Sequence, residues 1–377
     1  MHVVGIVAEY NPFHMGHKYH IEKAREETAA DGIVVVMSGS FVQRGEPAVF
    51  DKWTRALHAL GNGVDLVLEL PVVFALSSAE GFARGAVQTL KATGVVDTIS
   101  FGSECGDAGK LQRAADILET EPPIFKEALR ENLREGKSYA AARAHALAAV
   151  DGEAAMLLSS PNNILALSYL RITGKDMHVH TVKRRGADYL ETKPRGASAS
   201  ALALRTMLSE GKSIHAFVPY ETEELSIHAL EQYEDLLLYA LRIGDWESYA
   251  SIPETVKKRL IGCKMESLEA VLESAKSKNV SMAAVKRALM HILLQNPLSA
   301  KMLPSYIRVL GFTDRGAAIL KEMKKTAQLP VITRPAAFKE NCPIWEMEKR
   351  ATDIYYLKER LTNQDVKRAP VRVGERY

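Results

Sequence analysis

The chain has 377 residues, of which 47% are hydrophobic and 25% charged; this is ordinary globular material, long enough for two domains, and it excludes disorder as the default. Lysine and arginine exceed aspartate and glutamate by 49 − 46 = 3, a mild basic balance that permits a polyanionic partner without demanding one. Cys105, Cys263 and Cys342 are far apart and in no CxxC pair, so neither a disulfide framework nor a thiolate zinc site is indicated. With no signal-like segment at the start and no stretch near the ~20 apolar residues that span a bilayer, a soluble cytoplasmic protein without a membrane partner is expected.

In chain order, short apolar runs alternate with longer amphipathic ones. The runs at 2–8 (HVVGIVA), 32–37 (GIVVVM), 64–70 (VDLVLEL), 98–101 (TISF) and 178–182 (HVHTV) read as buried strands rich in β-branched residues. Residues 19–28, 52–60, 77–93 and 163–172 carry helical spacing of apolar positions. This rhythm predicts an α/β fold with a doubly wound parallel sheet, whose ligand-binding loops lie at the carboxyl ends of its strands. From about Met207 the strands give way to predicted helices at 221–241, 256–263, 268–277, 282–294 and 315–325, punctuated by Pro253, Pro297 and Pro304. The expected division is therefore a sheet domain over residues 1–206 and a mainly helical domain over 207–377, with no substantial sheet after Tyr220. No repeat of fixed period occurs, and the final DVKRAPVRVGERY, basic and proline-containing, reads as a mobile tail.

The stretch EYNPFHMGHKYH (Glu9 to His20) follows the first strand and concentrates the chemistry. A helix starting near His14 or Met15 puts His14 and His17 on one face of its N-terminus, where unpaired backbone N–H groups and the positive dipole end already suit an anion. Gly16 removes a Cβ that would keep phosphates off the backbone, and Pro12 fixes φ ahead of the helix. The competing reading of the histidines is zinc, which wants three or four protein ligands; HExxH is missing and Glu9 is the one acid in the loop, so no metal site is expected. No Ser-His-Asp set and no GxSxG elbow is present.

The strand followed by NPFHMGH resembles the HxGH signature of the nucleotidyltransferase superfamily related to class I aminoacyl-tRNA synthetases. Further along, MSGSFVQRGEPAVFDKW (Met37 to Trp53), GVDLVLELP (Gly63 to Pro71), FGSE (Phe101 to Glu104), SPNNILALSYL (Ser160 to Leu170), KRRGADY (Lys183 to Tyr189), SASALALR (Ser198 to Arg205) and YIRVLGFTDRGAAIL (Tyr306 to Leu320) resemble the bacterial tRNA(Met) cytidine acetate ligases, in the order expected of them. The resemblance covers most of the chain. It implies that ATP, with Mg²⁺, and acetate as co-substrate form acetyladenylate and pyrophosphate, and that the acetyl group then passes to the exocyclic amine of the wobble cytidine of elongator tRNA(Met), giving 4-acetylcytidine.

By the same resemblance, His14 and His17 are catalytic, and Val7, Ala8, Glu9, Tyr10, Asn11, Pro12, Phe13, His14, Met15, Gly16, His17, Lys18, Tyr19 and His20 cradle ATP. Gly102, Asn162 and Arg184 complete the nucleotide site. Each has its own rationale: a strand-end glycine that admits adenosine, an amide with donor and acceptor, and a permanent cation for phosphate. SASALALR departs from the SxSxTxIR pattern by placing Leu202 where a hydroxyl is expected, while Ser198, Ser200 and Arg205 remain able to meet phosphate. Adenylation asks mainly for positioning and charge stabilisation. The amine of the second step needs a base, for which Glu9 and Asp51 stand as unranked candidates.

Basic residues on the predicted helices of the second half, with Lys257, Lys258, Lys286 and Arg287 foremost and Arg259, Lys276, Lys278, Lys324 and Lys325 beside them, are the expected tRNA contacts. No obligate protein partner is implied. Two other classes stay open at this point: a small-molecule nucleotidyltransferase using the same histidine loop, and a non-enzymatic nucleotide- or RNA-binding regulator.

Overall fold

The computed structural model describes residues 1–184, 199–222 and 225–374. Ser198 and the stretch from Arg185 to Tyr189 of the KRRGADY motif lie outside the described residues. Among those described, the strands are β1 (Val3–Ala8), β2 (Gly32–Ser38), β3 (Phe41–Val42), β4 (Glu46–Pro47), β5 (Leu66–Leu70), β6 (Thr98–Ser103), β7 (His178–Lys183), β8 (Ile307–Thr313), β9 (Val331–Ile332) and β10 (Val371–Val373). β3 and β4 form a separate antiparallel hairpin; the rest make one sheet in the order β10-β8-β5-β2-β1-β6-β7, with β9 beside β8. Every pairing in that sheet is parallel except β5 with β8.

The strands are nearly uninterrupted apolar runs because both faces are covered. Along β2, Val34 and Val36 join one core with Leu66, Leu68 and Ile99, while Ile33, Val35 and Met37 point into the other with Ile21, Ala24, Ala56 and Ala59. Alternation of side chains along a strand produces this division. The second core is roofed by helices α1 (Met15–Thr28) and α2 (Lys52–Leu60). Strand order reverses at β1, which pairs β2 on one side and β6 on the other, so a crevice opens beyond their carboxyl ends.

The second half is largely helical but does not match the expectation that it lacks substantial sheet. β8 inserts into the centre-left of the sheet beside β5, flanked by β9 and β10, so the chain returns to the sheet after Tyr220 and the 206/207 division does not separate sheet from helix. The basic tail is not a mobile end over its described part: it forms a helical turn, Gln364–Lys367, and then β10. The predicted 221–241 helix is helical only from Leu230, as a 3-10 turn and then Glu234–Ile243. Upstream, the His228 N–H donates to Val49 O and its ring stacks on Tyr355 at 3.9 Å, contacts that hold the backbone extended. Between β6 and β7 lie helices Ala108–Thr120, Pro123–Arg134 and Tyr139–Val150, started by Asp107, a proline at the first position and Ser138.

The start of α2 ties these parts together. Lys52 Nζ lies fully buried, 2.5 Å from Glu69 Oε1, 2.7 Å from Asp365 Oδ1 and 3.4 Å from Glu348 Oε1. Burial alone would strip its proton, but Asp365, Glu69 and Glu348 reverse that and keep it charged. Burial and then the Glu69 charge push Glu348 well above the usual carboxyl range, so this acid keeps its proton. One turn on, Arg55 donates to Phe50 O, Glu9 O, Ser38 O and Gly39 O.

A buried cluster of this kind is fragile to the loss of its cation alone. Lys52→Met should lower unfolding stability by ~3–5 kcal/mol, because the buried carboxyl groups of Glu69 and Asp365 lose their counter-charge. Glu348→Gln mimics the protonated acid and should cost under about 1 kcal/mol in the same denaturant titration. Equal losses in the two variants would contradict the assigned protonation.

Candidate active site

Residues far apart in the sequence are brought to the crevice by three helix starts. The first is α1. Its N-cap is His14, whose Nδ1 accepts from the Gly16 N–H at 3.0 Å, while His17 Nδ1 accepts from the His14 N–H at 3.2 Å, a reciprocal capping box. The rings stack at 3.7 Å. A nitrogen that accepts carries no proton, so each neutral imidazole holds its hydrogen on Nε2, the nitrogen left over for a ligand. Burial and then the Arg184 charge depress His14 to about 3; burial, then His14 and Arg184, hold His17 well below the usual histidine range. The pair are thus neutral donors side by side at a helix N-terminus.

Gly16 acts through His14. A Cβ there would meet His14 Cε1 at 2.9 Å and Nδ1 at 3.0 Å, displacing the imidazole from its cap. That differs from the sequence argument, which assigned the glycine to ligand approach alone.

The second helix start is Ser200, 4% exposed, whose hydroxyl accepts from the Ala203 N–H at 3.0 Å and begins Ala201–Ser209. From that helix Arg205 Nη1 donates to Asn11 O at 2.7 Å and so holds the histidine loop. Leu202 lines the crevice as an apolar wall. The third is Pro161–Thr173, where Glu104 accepts from Asn162 Nδ2 at 2.7 Å and from the Asn163 N–H at 2.8 Å. Asn163 Oδ1 in return accepts from the Glu104 N–H at 3.0 Å, so the FGSE and SPNN segments clasp each other. The Arg184 stem packs over Gly102, 3.4 Å from where a Cβ would sit.

Lining this crevice are Val7, Ala8, Glu9, Tyr10, Asn11, His14, Gly16, His17, Tyr19, His20, Gly102, Asn162, Arg184 and Arg205. Four sequence candidates are not among the lining residues. Phe13 is fully buried under the loop, 4.8 Å from the Tyr10 ring, and Pro12 is buried with it after a cis peptide bond. Met15 faces outward at 45% exposure, and Lys18 lies 3.9 Å from Glu22 on the outer face of α1. Conversely, Gln43 and Arg44 at the tip of the β3–β4 hairpin line the crevice although the sequence argument gave them no role; the QRG turn was the available signal. Two buried polar atoms in the wall, Tyr10 Oη and Asn11 Nδ2, have no hydrogen-bond partner among the described residues, which suits a polar ligand.

The two candidate bases separate. Glu9 lines the crevice, its Oε1 accepting from the Gln43 N–H at 2.7 Å, and burial pushes its pKa up against that bond. Asp51 instead caps α2 through the Trp53 and Thr54 N–H groups at 2.9 and 3.1 Å and is not a lining residue. Among the described residues no cluster of three or more metal-ligating side chains occurs. No described helix is long and apolar enough to cross a membrane.

The four foremost candidates for RNA contact are not equivalent. Lys258 is exposed. Lys257 is 8% exposed and paired with Glu254 at 2.8 Å. Lys286 pairs with Glu46, and Arg287 Nη1 donates to Gln43 O at 3.1 Å, so both are engaged by the crevice hairpin rather than standing on a free helix face. Burial also lowers Arg287 to about 10.

Comparison with known proteins identifies the family of the whole chain. Residues 1–369 match the family model described as HIGH Nucleotidyl Transferase. The tRNA(Met) cytidine acetate ligase of Caldanaerobacter subterraneus subsp. tengcongensis is 41% identical over 384 residues, covering 95% of each chain. That of Clostridium perfringens strain SM101 is 40% identical over 383 residues, covering 94% of this chain and 95% of the other. Two crystal structures of Thermotoga maritima TmcAL, apo and bound with alpha-thio ATP, superpose with TM-scores of 0.91 and 0.90 at 34% identity over 100% of both chains. With its sheet, histidine helix start and whole-length match in agreement, the chain belongs to the HIGH nucleotidyl transferase family.

Proposed function

We propose that this chain is an ATP-dependent ligase that activates acetate as acetyladenylate and acetylates the wobble cytidine of elongator tRNA(Met). The observation that carries the reading is the His14–His17 pair, stacked at 3.7 Å at the start of α1, where strand order reverses. Whole-length identity to proteins named tRNA(Met) cytidine acetate ligase supports the choice of acyl group and RNA.

In the first step an acetate oxygen attacks the α-phosphorus, and the bond to the bridging oxygen of pyrophosphate breaks. The Nε2–H groups of His14 and His17, at the positive end of the α1 dipole, donate to the α-phosphate and the departing pyrophosphate, where negative charge grows. Arg184 supplies a fixed cation beside them, and Asn162 and the Gly102 edge hold the nucleoside. Glu9 is the one acid among the lining residues and is already engaged by Gln43. Were Mg²⁺ bound with the nucleotide, it would neutralise charge on the phosphates, and among the described lining residues Glu9 would be the acid able to hold it. In the second step the cytidine amine attacks the acetyl carbonyl and AMP leaves. Acetate-dependent exchange between labelled pyrophosphate and ATP, followed by nucleoside analysis of treated tRNA for 4-acetylcytidine, tests the whole reading. Exchange without acetate, or transfer of a nucleotide to a small metabolite in place of RNA acetylation, contradicts it.

His17→Ala removes one preorganised donor and should slow exchange by ~10²–10³-fold, about 3 kcal/mol of transition-state stabilisation. The same change opens the capping box, so unfolding stability should fall by about 1 kcal/mol without loss of the fold. A purified variant with wild-type exchange would remove His17 from the chemistry.

Asn162→Ala and Arg184→Ala should raise the Kd for ATP more than they lower the exchange rate at saturation, since both hold the nucleotide in ground and transition state alike. Unchanged affinity in both, read by calorimetry, would take them out of the site.

RNA contacts are assigned to the exposed lysines rather than to the hairpin-bound pair. Lys258→Glu, Lys276→Glu and Lys278→Glu should each reduce the slope of log affinity for tRNA against log salt by about one and leave exchange intact. Slopes identical to wild type would move the RNA surface elsewhere.

A further inference from the structure

His20 lies one turn beyond His17 on α1 and lines the same crevice, yet it is connected differently. Its Nε2 is 2.9 Å from Ser100 Oγ; Ser100 Oγ is 3.0 Å from His180 Nδ1; His180 Nε2 is 3.0 Å from Glu27 Oε2. Ser100 is fully buried, whereas the Glu27 side chain is 47% exposed, so the four groups form an unbroken line from the crevice wall to solvent. The direction of the line follows from its outer end. A carboxylate only accepts, so His180 donates from Nε2 and accepts at Nδ1; the single Ser100 proton goes there; and Ser100 Oγ then accepts from His20 Nε2–H. His20 is left with an unprotonated Nδ1. His14 and His17 hold the same tautomer but turn the opposite nitrogen to the crevice, since their Nδ1 atoms are spent on backbone N–H groups. Two histidines present donors and one presents an acceptor.

We propose that His20 Nδ1 takes the proton released when the attacking amine meets the acyl adenylate, and that Ser100, His180 and Glu27 pass it to solvent. The inference rests on the two-step reading above. As the amine nitrogen bonds to the carbonyl carbon, the bond from that carbon to the phosphate oxygen breaks and its electron pair leaves with AMP. The amine proton goes to His20 Nδ1, the His20 Nε2 proton to Ser100 Oγ, and the Ser100 proton to His180 Nδ1. The imidazolium so formed at His180 faces Glu27 and gives its Nε2 proton to water; once product has left, a proton entering at His180 Nε2 and running the line in reverse, with the His20 Nδ1 proton lost to crevice water, restores the starting tautomers. Charge therefore never stays on His20, where burial, then His180 and Arg184, depress the imidazole to about 3. The charged and titratable groups against His20 are His17 on its own helix, His180 on β7 and Arg184 after β7; beside His180 stand Glu27 and, 4.0 Å from that carboxylate, Lys23.

The test separates the two steps. Enzyme preloaded with ATP, acetate and inorganic pyrophosphatase is mixed rapidly with elongator tRNA(Met) transcript, and 4-acetylcytidine is followed at several pH values. Ser100→Ala and His180→Phe should slow transfer by ~10²-fold, the lower end of the range for general acid–base catalysis, and change its pH profile, while acetate-dependent exchange stays near wild type. Glu27→Gln, a surface change that leaves the core untouched, should slow transfer in the same sense. Transfer rates and pH profiles equal to wild type in all three variants overturn the relay. So does a parallel fall in exchange and transfer, which would make His20 an acceptor for a hydroxyl of bound nucleotide. A wild-type protein that exchanges but never acetylates RNA overturns the two-step reading itself, and the relay with it.

Discussion

The fold and the site both hang on the guanidinium of Arg55. A fully buried arginine must place its donors on acceptors or forfeit several kcal/mol of hydration. Arg55 does so by gathering carbonyls from the ends of β1 and β2 and from the approach to its own helix: Glu9 O at 2.6 Å, Ser38 O at 3.0 Å, Phe50 O at 2.9 Å, and Gly39 O. These are the backbone groups that diverge where two parallel strands end, and without a shared donor they would face a crevice floor with no partners. Once Glu9 O is fixed, the loop behind it can enter α1 at one angle, and the histidine pair acquires one position. Three residues earlier Lys52 anchors the same helix to Glu69, Glu348 and Asp365, so the second half of the chain is bolted to the point that fixes the loop.

The site's electrostatics follow from burial more than from charge number. Neutral imidazoles with their hydrogens on Nε2 are better suited than imidazolium ions to a buried pocket that must also release its product, because an isolated buried cation is costly when the anion departs. Permanent positive charge is left to arginine: Arg184 sits at the exposed rim, and Arg205 is engaged by Asn11 O and faces Glu46. Helix starts provide the rest of the field without any side-chain charge.

What could be read from the sequence divides along this line. α2 was legible residue for residue at Lys52–Leu60, and β1, β2 and α1 within a few residues, because strong apolar periodicity and local caps act over short distances. β8 was not. Its IRVLGFT carries Arg308 as the second residue of a mostly apolar run, a residue that argues against a buried strand until its long-range partners are known: it is fully buried, Nη2 donating to the carbonyls of Asp365 and Arg368. The same limit applies to the site. HMGH announced itself through spacing, but the resemblance placed His20 only within the segment that cradles ATP, and no local signal shows that Ser100, eighty residues away, captures its Nε2. Likewise Lys286 and Arg287 looked like a free basic face until the hairpin was seen against them.

That hairpin gives the second half a role at the first half's chemistry. Gly45, at φ 78°, lets helix Met282–Leu293 approach so closely that a Cβ at 45 would fall 2.2 Å from the Arg287 backbone nitrogen. The Lys286–Glu46 pair and the Arg287 bond to Gln43 O then fasten the hairpin to that helix, while the Gln43 N–H fastens it to Glu9. Gln43 and Arg44, which line the crevice, are therefore held between the histidine loop and a helix of the second half. A ligand that shifted this helix would move the crevice wall with it, because the connection runs through backbone carbonyl, backbone N–H and a glycine with no room to yield. Packing of this kind transmits displacement rather than absorbing it. Helices Glu254–Ile261 and Leu268–Ala275, on or beside which the lysines proposed to hold RNA stand, share a buried core with Met282–Leu293 through Val256, Leu260, Val271 and Val285, so on the two-step reading that surface is joined by packing to the wall of the pocket in which the acyl adenylate waits.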